Sequence, residues 1–535
     1  MNELIDNLLY HSPALIVAIP LLGAFLTPLI SKIGGKARNA FAIFIVGLTS
    51  FMVFLLANDI LSNGTVRRYV FGGEDALVKG DTVNYIVRIV FEVDGMNAFM
   101  AIIAAILAIA GVIYAWSFMK KHTGLDKFYT LILLMIAGIF GMILTGDMFN
   151  FFVFIEITSI ASCALIAFYT NKGKAVDAGF KYIVVSSIGA LFILFAIAIL
   201  YSQYNSLNMA YLATNIGYTG LDKIALGILL AGLAMKAGIV PMHMWLPDAY
   251  GRAPSCVSLL LVGATQASLY GALRMTFTVY GQHLPTVIKK VSIGNLDFDI
   301  TLNWILGVII VSLALLTMLV GILMALKEND FKRMIAFAAV GEIGFMILAI
   351  GASLLAMGKG YDVIALKGGL FHIINDALDV GLLFLVAGAV YYATNETSLN
   401  KIGGLARNMK YTTIFFVIGL LAVSGMPPMN GFASKLIIYQ STYLVNPFLG
   451  IIAILCSILL LAVFVKVFHS VFLGPKISKL KDVKEVPRSM LLAMGFIAAI
   501  IIIFGLFPNM VIDNIIEPAK NAIINYGSYI GGVLP

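Results

Sequence analysis

The chain has 535 residues, of which 61% are hydrophobic and only 12% charged, whereas a soluble chain of this size carries roughly a quarter charged residues. That balance excludes a soluble enzyme and marks an all-α integral membrane protein, because a crossing needs about 20 apolar residues and such runs recur almost end to end. The net charge of +8 raises the question of nucleic acid, but the basic residues are parcelled into short loops between apolar runs, which argues against that partner.

The opening stretch, "MNELIDNLLYHSPALIVAIPLLGAFL", lacks a basic n-region and a small-residue cleavage site, so it reads as a retained first span rather than a signal peptide. The apolar pattern predicts about fourteen spans. They lie near 13–31, 38–58, 95–118, 126–146, 148–170, 177–202, 222–247, 256–280, 302–326, 333–353, 362–393, 411–440, 446–473 and 489–507. Between the second and third, "VRRYVFGGEDALVKGDTVNYIVRIVFEVDG" combines β-branched residues with Gly turns and predicts an extramembrane hairpin. The tail after Phe507 is short. Cys163, Cys256 and Cys456 each stand alone in apolar runs and read as small core hydrophobes.

Orientation follows from the loops. The odd-numbered ones, "SKIGGKAR", "MKKHTGLDK", "NKGKAVDAGFK", "GRAPS", "KENDFKR", "NKIGGLARNMK" and "GPKISKLKDVKEVPR", are all basic, and the even-numbered ones carry far fewer Lys and Arg. Both termini are thereby placed outside the cytoplasm.

An ionisable side chain at mid-bilayer costs on the order of 3 kcal/mol on insertion scales, so such groups persist where they face protein or a wet cavity. Here they form a set: Glu156 in the fifth span, Lys236 in the seventh, Glu342 in the tenth, His372, Asp376 and Asp379 in the eleventh, and Lys435 in the twelfth. Lys466 and His469 sit late in the thirteenth and read as snorkelling groups. Residues 372, 376 and 379 follow an i, i+4, i+7 spacing and share one helix face, with Asn375 beside them. At the span ends, Lys327, Lys332 and Arg333 read as interfacial anchors, and Asp147 and Asp248 as capping carboxylates.

The seventh span, "AGLAMKAGIVPMHMWLPDAY", is broken by Pro241, and the twelfth by Pro427 and Pro428 with Gly425 and Gly431 nearby. Broken helices are tolerated at depth where they are buried in protein or line water, and they commonly mark ion sites. A carboxylate span is followed two spans later by a broken span with a lysine, first Glu156 then Lys236, and again Glu342 then Lys435. The two units begin five spans apart, an odd number, so they are inverted relative to one another. The structural alternative is that each lysine merely pairs with its carboxylate and fixes packing. His243 reads either as a member of the polar path or as a satisfied core histidine.

At these residues the chain resembles the antiporter-like membrane subunits of respiratory complex I, of Mrp-type cation/proton antiporters and of membrane-bound hydrogenases. "MKAGIVPMHMWLPDAYGRAPS", "NDFKRMIAFAAVGEIGF" and "SGMPPMNGFASKLIIYQ" carry the resemblance, and the last looks most like the hydrogenase and sulfane-reductase branch. The resemblance implies fourteen helices with two inverted five-helix repeats, each holding a broken helix. The corresponding divisions are 1–125 (three helices and the hairpin), 126–280 (first repeat), 281–473 (second repeat) and 474–535 (last helix and tail). By position it makes Glu156 and Lys236 a working pair, places His243 in the same segment, and puts Lys435 at the exit of a hydrated axis. Three positions depart from the family. Gln266 stands where a lysine is usual, Asp376 and Val380 stand where a second histidine and a lysine are usual, and Glu342 replaces a histidine or glutamine.

The expected function is proton or Na⁺/H⁺ translocation by one subunit of a multisubunit redox complex in the plasma membrane of a prokaryote. No flavin, iron–sulfur or nickel ligands are visible in the sequence, so iron–sulfur and nickel–iron centres are expected in partners: a hydrophilic redox arm, and other membrane subunits including small Mrp-type and antiporter-like chains. The proton passes from Lys236 through water near Gln266 to His372 and the carboxylates, then leaves near Lys435. Asn375, Asp376 and Asp379 offer hard oxygen ligands and keep Na⁺ open as an alternative cargo. A subunit that has lost transport and only braces its neighbour is the remaining reading.

Overall fold

A computed structural model describes residues 2–71, 89–293, 296–475, 477, 480 and 482–534. Among these the chain runs α1 (Asn2–Ile33), α2 (Gly35–Asn63), β1 (Arg67–Val70), β2 (Val90–Val93), α3 (Gly95–Phe118), α4 (Leu125–Leu144), α5 (Met148–Ile166), α6 (Gly173–Tyr204), α7 (Met209–Asn215), α8 (Gly220–Ala237), α9 (Trp245–Arg252) and α10 (Ser255–Leu273). It continues with β3 (Val287–Ile293), β4 (Leu296–Thr301), α11 (Leu302–Lys327), α12 (Phe331–Leu355), α13 (Asp362–Thr394), α14 (Lys410–Val423), α15 (Asn430–Val445), α16 (Pro447–Val467), α17 (Arg488–Leu506), α18 (Pro508–Val511), α19 (Glu517–Ile524) and α20 (Tyr526–Val533). The molecule is an all-α integral membrane protein, with 12 helices among the described residues long and apolar enough to cross a bilayer.

The two predicted spans outside that set are the broken ones. The seventh divides into α8 and α9 around 238–244, and the twelfth into α14 and α15 around 424–429, each at the prolines noted in the sequence. The stops are local. Gly238 closes α8 with φ 75°, and Gly425 follows α14 with φ 69°, left-handed conformations that favour glycine. Starts are capped by side chains: Asp94 and Asn97 form a capping box at α3, Thr219 and Asp222 another at α8, and Asp330 caps α12. Asp147 caps α5 by accepting the Asn150 N–H at 2.6 Å, the role its position suggested.

Burial sorts the helices. The apolar stretches of α12 and α13 are wholly enclosed, and α3 and α10 nearly so, whereas most of α1, α6, α11 and α17 faces outward. The enclosed helices therefore form the middle of the bundle, with α8 packed on α6 on one side and α15 packed on α13 on the other. Glu342, His372, Asp376, Asp379 and Lys435 lie in or against this middle layer and are buried, whereas Glu156 on α5 stays partly exposed.

Two features differ from the sequence reading. The predicted hairpin is present as β1 paired antiparallel with β2, its central residues 72–88 falling outside the described residues. A second antiparallel hairpin, β3 with β4, fills the stretch between the eighth and ninth spans, for which the sequence reading named no element. Its signal was legible: "VIKKVSIGNLDFDIT" places an apolar–polar alternation on both sides of a Gly-Asn pair. The tail after Phe507 is also more than a remnant. Helix α19 packs against α3, Glu517 pairs with Lys367 and Lys520, and Tyr529 donates to Glu92.

Candidate ion-conducting site

The first half of the site is built where α8 stops. Lys236 lies in the last turn of α8, where the carbonyl end of the helix favours a cation. Its side chain is buried, and Nζ donates to Ser159 Oγ at 2.7 Å and to Ser186 Oγ at 2.6 Å. The two serines also bond each other at 2.9 Å, tying α5 to α6. Glu156, one turn before Ser159, brings Oε1 to 3.5 Å from the ammonium without a hydrogen bond, and its side chain remains 29% exposed. Beside Lys236 is a cavity of about 20 Å³ bounded by Ser159, Ser186, Trp245, Thr265 and Ser268, room for one water. That cavity leads from α8 to the face of α10.

The second half is tighter. Glu342 and Lys435 are each 1% exposed, with Lys435 Nζ 2.8 Å from Glu342 Oε1. The other carboxylate oxygen, Oε2, lies 2.8 Å from His372 Nε2. Lys435 also donates at 2.8 Å to the carbonyl of Val423, the last residue of α14. Here again an ammonium meets the carbonyl end of a half-helix at a break. A Cβ on Gly425 would stand 2.9 Å from Lys435 Cδ, so the glycine also leaves room for the lysine stem. His372 Nδ1 lies 3.1 Å from Ser434 Oγ, and Asn375 donates to the Asn430 carbonyl at 3.0 Å and to Ser434 Oγ at 2.9 Å.

Gln266 ties α10, whose Thr265 and Ser268 border the cavity beside Lys236, to α13. Its Nε2 donates to Asp376 Oδ2 at 2.9 Å and to the Ile373 carbonyl at 3.0 Å, bridging α10 to α13, while Oε1 has no hydrogen-bond partner among the described residues. Asp376 Oδ1 and Asp379 Oδ1 are likewise buried without a partner. Buried carboxylate oxygens left unbonded are costly as anions, so these positions favour a proton, a water or a cation at each.

The stripe 372, 376, 379 thus divides among neighbours: His372 turns to Glu342 and Ser434, and Asp376 to Gln266. Asn375 faces α15 and Asp376 faces α10, so the structure does not bring these two together. His243 is buried in the first break with Nδ1 unbonded, and no hydrogen bond among the described residues ties it to Lys236 or Gln266. Lys466 donates to the carbonyls of Leu326 and Glu328 at the end of α11, and His469 is exposed, as snorkelling groups would be. Lys327 is exposed, Arg333 pairs with Glu328 and Asp248, and Asp248 also pairs with Lys181. Lys332, expected as an anchor, is instead buried, with Nζ on the Ala253 carbonyl.

Several site residues escape a reading from sequence. Ser159 and Ser186 hold Lys236, but a helical serine usually bonds its own i−4 carbonyl and signals nothing alone. Arg274 sits inside the eighth predicted span, a cationic residue that the charged set above leaves out. It is buried and meets Asp94 through two 2.7 Å contacts, with Tyr270 alongside. Next to it on β2, outside the spans, Glu92 is pushed up to about 7 by burial, although Tyr529 and Asn208 donate to it.

Comparison with known proteins agrees with this geometry. The chain is 30% identical over 539 residues to NADH-quinone oxidoreductase subunit N of Desulforudis audaxviator (strain MP104C), covering 95% of this chain and 98% of that one. It is 28% identical to hydrogenase-4 component B of Escherichia coli (strain K12), over 78% of this chain and 62% of that longer relative. Among solved structures, a chain of the membrane-bound sulfane sulfur reductase, an archaeal respiratory membrane complex, superposes with a TM-score of 0.82 at 26% identity, covering 98% of this chain and 99% of that one. Residues 145–461, the stretch that contains both breaks and every charged residue of the site, match the family described as NADH:quinone oxidoreductase/Mrp antiporter, TM. The chain belongs to that family of antiporter-like membrane subunits.

Proposed function

We propose that the chain carries protons through the membrane as one subunit of a larger redox-driven complex, along the series Lys236, Gln266, Asp376, His372, Glu342 and Lys435. The observation that carries this reading is the Gln266–Asp376 hydrogen bond, which crosses from α10, the helix bordering the cavity beside Lys236, to α13, whose His372 meets the Glu342–Lys435 pair. Glutamine cannot take up and release a proton in the physiological range, but it orients water and the carboxylate beside it. Glu156 is exposed in mid-span, where a bare carboxylate facing lipid is costly, so a neighbouring membrane subunit covers it and can alter its distance from Lys236. An unpaired buried ammonium is disfavoured, so drawing Glu156 away favours proton release toward α10. The electron-transfer centres belong to a hydrophilic arm of iron–sulfur and nickel–iron type. The basic loops favour termini outside the cytoplasm of a prokaryotic cell, and on this reading the divisions 126–280 and 281–473 act as the two inverted repeats.

Replacing Gln266 by Leu tests the link. In inverted vesicles of the intact complex, Gln266→Leu lowers protons moved per electron by about tenfold, the order of one lost hydrogen-bonded connection, while electron transfer without a gradient continues. Unchanged stoichiometry would remove Gln266 from the path.

The unbonded Oδ1 atoms of Asp376 and Asp379, one turn apart, favour Na⁺ as a second reading. In that case translocation rises with external Na⁺, and Asp379→Asn abolishes the rise. Equal rates in sodium and potassium media dispose of it.

A further inference from the structure

Apart from the ion path, the end of the bundle that carries the basic loops holds a cleft of about 490 Å³. Its walls come from the loop before α6, the join between α9 and α10, the start of α12 and the end of α13. Four cationic residues line it: Lys172, Lys174, Arg252 and Lys332. Among the described residues only Arg252 has a carboxylate partner, Asp330 at 3.0 Å. Lys172 rests on Tyr391 Oη at 2.6 Å and over the ring of Tyr169. The one carboxylate in the wall, Glu396, is occupied by the backbone N–H groups of Thr397 and Ser398 and lies 3.7 Å from Lys401.

Lys332 is the decisive group. It is 5% exposed, its Nζ donates to the Ala253 carbonyl, and no carboxylate among the described residues stands within ion-pair distance. An ammonium has three donors, and burial without a counterion is costly. Two further buried groups in the same wall lack partners: Ser255 Oγ, in a residue 1% exposed, and Tyr169 Oη, in a residue 8% exposed. Two long helices also begin here, α6 at Gly173 and α10 at Ser255, and neither has a side-chain cap. Their first N–H groups are free to meet an acceptor, and their dipoles favour negative charge.

We infer that this cleft binds a phosphate-class oxyanion, carried by an anionic lipid headgroup or free in solution, with Lys172, Lys174 and Lys332 as its counter-charges. An oxyanion gives the buried ammonium a counter-charge and the two uncapped helix starts an acceptor in one stroke. The same uncompensated positive charge repels cations, which sets this cleft apart from the mouth of a proton or sodium route.

The test uses the full complex in nanodiscs of phosphatidylcholine. Thermal unfolding is followed with added inorganic phosphate, and native mass spectrometry follows retention of phosphatidylglycerol in discs that contain it. Wild type either is stabilised by phosphate or keeps one phosphatidylglycerol per chain, and the arm that responds identifies the source. Lys172→Gln with Lys174→Gln, both exposed and harmless to folding, weakens that response by about tenfold. Lys332→Met removes the buried charge that needs a counterion, so it abolishes the response and leaves the ligand-free complex no less stable. The control, Lys289→Gln with Lys290→Gln on β3, makes the same charge change far along the chain on an exposed hairpin and leaves the response intact. No response to either probe in wild type, or an equal loss in the control, overturns the inference.

Discussion

Lys435→Ala stops translocation and also destabilises the chain, by about 3–5 kcal/mol, the usual cost of removing one partner from a fully buried ion pair. Both Lys435 and Glu342 are 1% exposed, so water offers Glu342 no replacement for the lost ammonium. His372 still faces the other carboxylate oxygen, but it cannot fill the space at Oε1. The carbonyl of Val423 loses its donor as well. Removing both charges separates the two effects. Glu342→Gln with Lys435→Met leaves no isolated buried charge, and recovers most of the stability while transport stays at background. Thermal unfolding of the purified complex and dye-reported proton uptake in vesicles measure the two arms. A Lys435→Ala complex that pumps normally would refute the role given to this lysine.

Lys236→Ala gives the contrasting result: translocation is lost with a stability change below about 1 kcal/mol, the range of loosely held pairs. Three observations set the difference. The Glu156 carboxylate is 3.5 Å away and makes no hydrogen bond to the ammonium, so less is lost when the ammonium goes than at the 2.8 Å pair of Glu342 with Lys435. Ser159 and Ser186 already bond each other at 2.9 Å, so neither is orphaned. The buried ammonium itself was a cost, and that cost disappears. Measured on the same vesicles as Lys435→Ala, a fall in pumping with an unchanged unfolding midpoint distinguishes a group that carries protons from one that only holds helices together. A Lys236→Ala complex that pumps at the wild-type rate would leave the first break as architecture.

Much of this was legible in the chain because lipid is an unforgiving solvent. A charge within an apolar run has few places to go, so Glu156 and Lys236, and again Glu342 and Lys435, were matched from their order alone, and both matches are ion pairs in the structure. Both breaks fall where prolines stand beside a left-handed glycine, Gly238 and Gly425, whereas α1 runs unbroken through Pro13, Pro20 and Pro28. Legibility stopped where the physics was not about lipid. The single-face argument for His372, Asp376 and Asp379 assumed a helix with one protein-facing side, but α13 is enclosed all round, so its polar groups part toward different neighbours. Ser159, Ser186, Ser434 and Asn430 are small polar residues that any helix tolerates, and only their partners give them meaning. Contacts across hundreds of residues, such as Arg274 with Asp94 or Tyr529 with Glu92, leave no local trace at all.

The enclosure of α13 bears on how the chain is made. Each aspartate near the centre of a helix adds about 2.5–3.5 kcal/mol to its transfer from the translocon into lipid, and α13 carries two, with a histidine and an asparagine besides. Its later partners on α15, Asn430 and Ser434, emerge from the ribosome 55 and 59 residues after Asn375, which they bond. Until then the newly made helix is a poor passenger for the open bilayer, and the already threaded α10 and α12, which offer Gln266 and Glu342, are the shelter in which it can wait. Insertion of the second half is in this way a joint act of several helices rather than a series of independent ones.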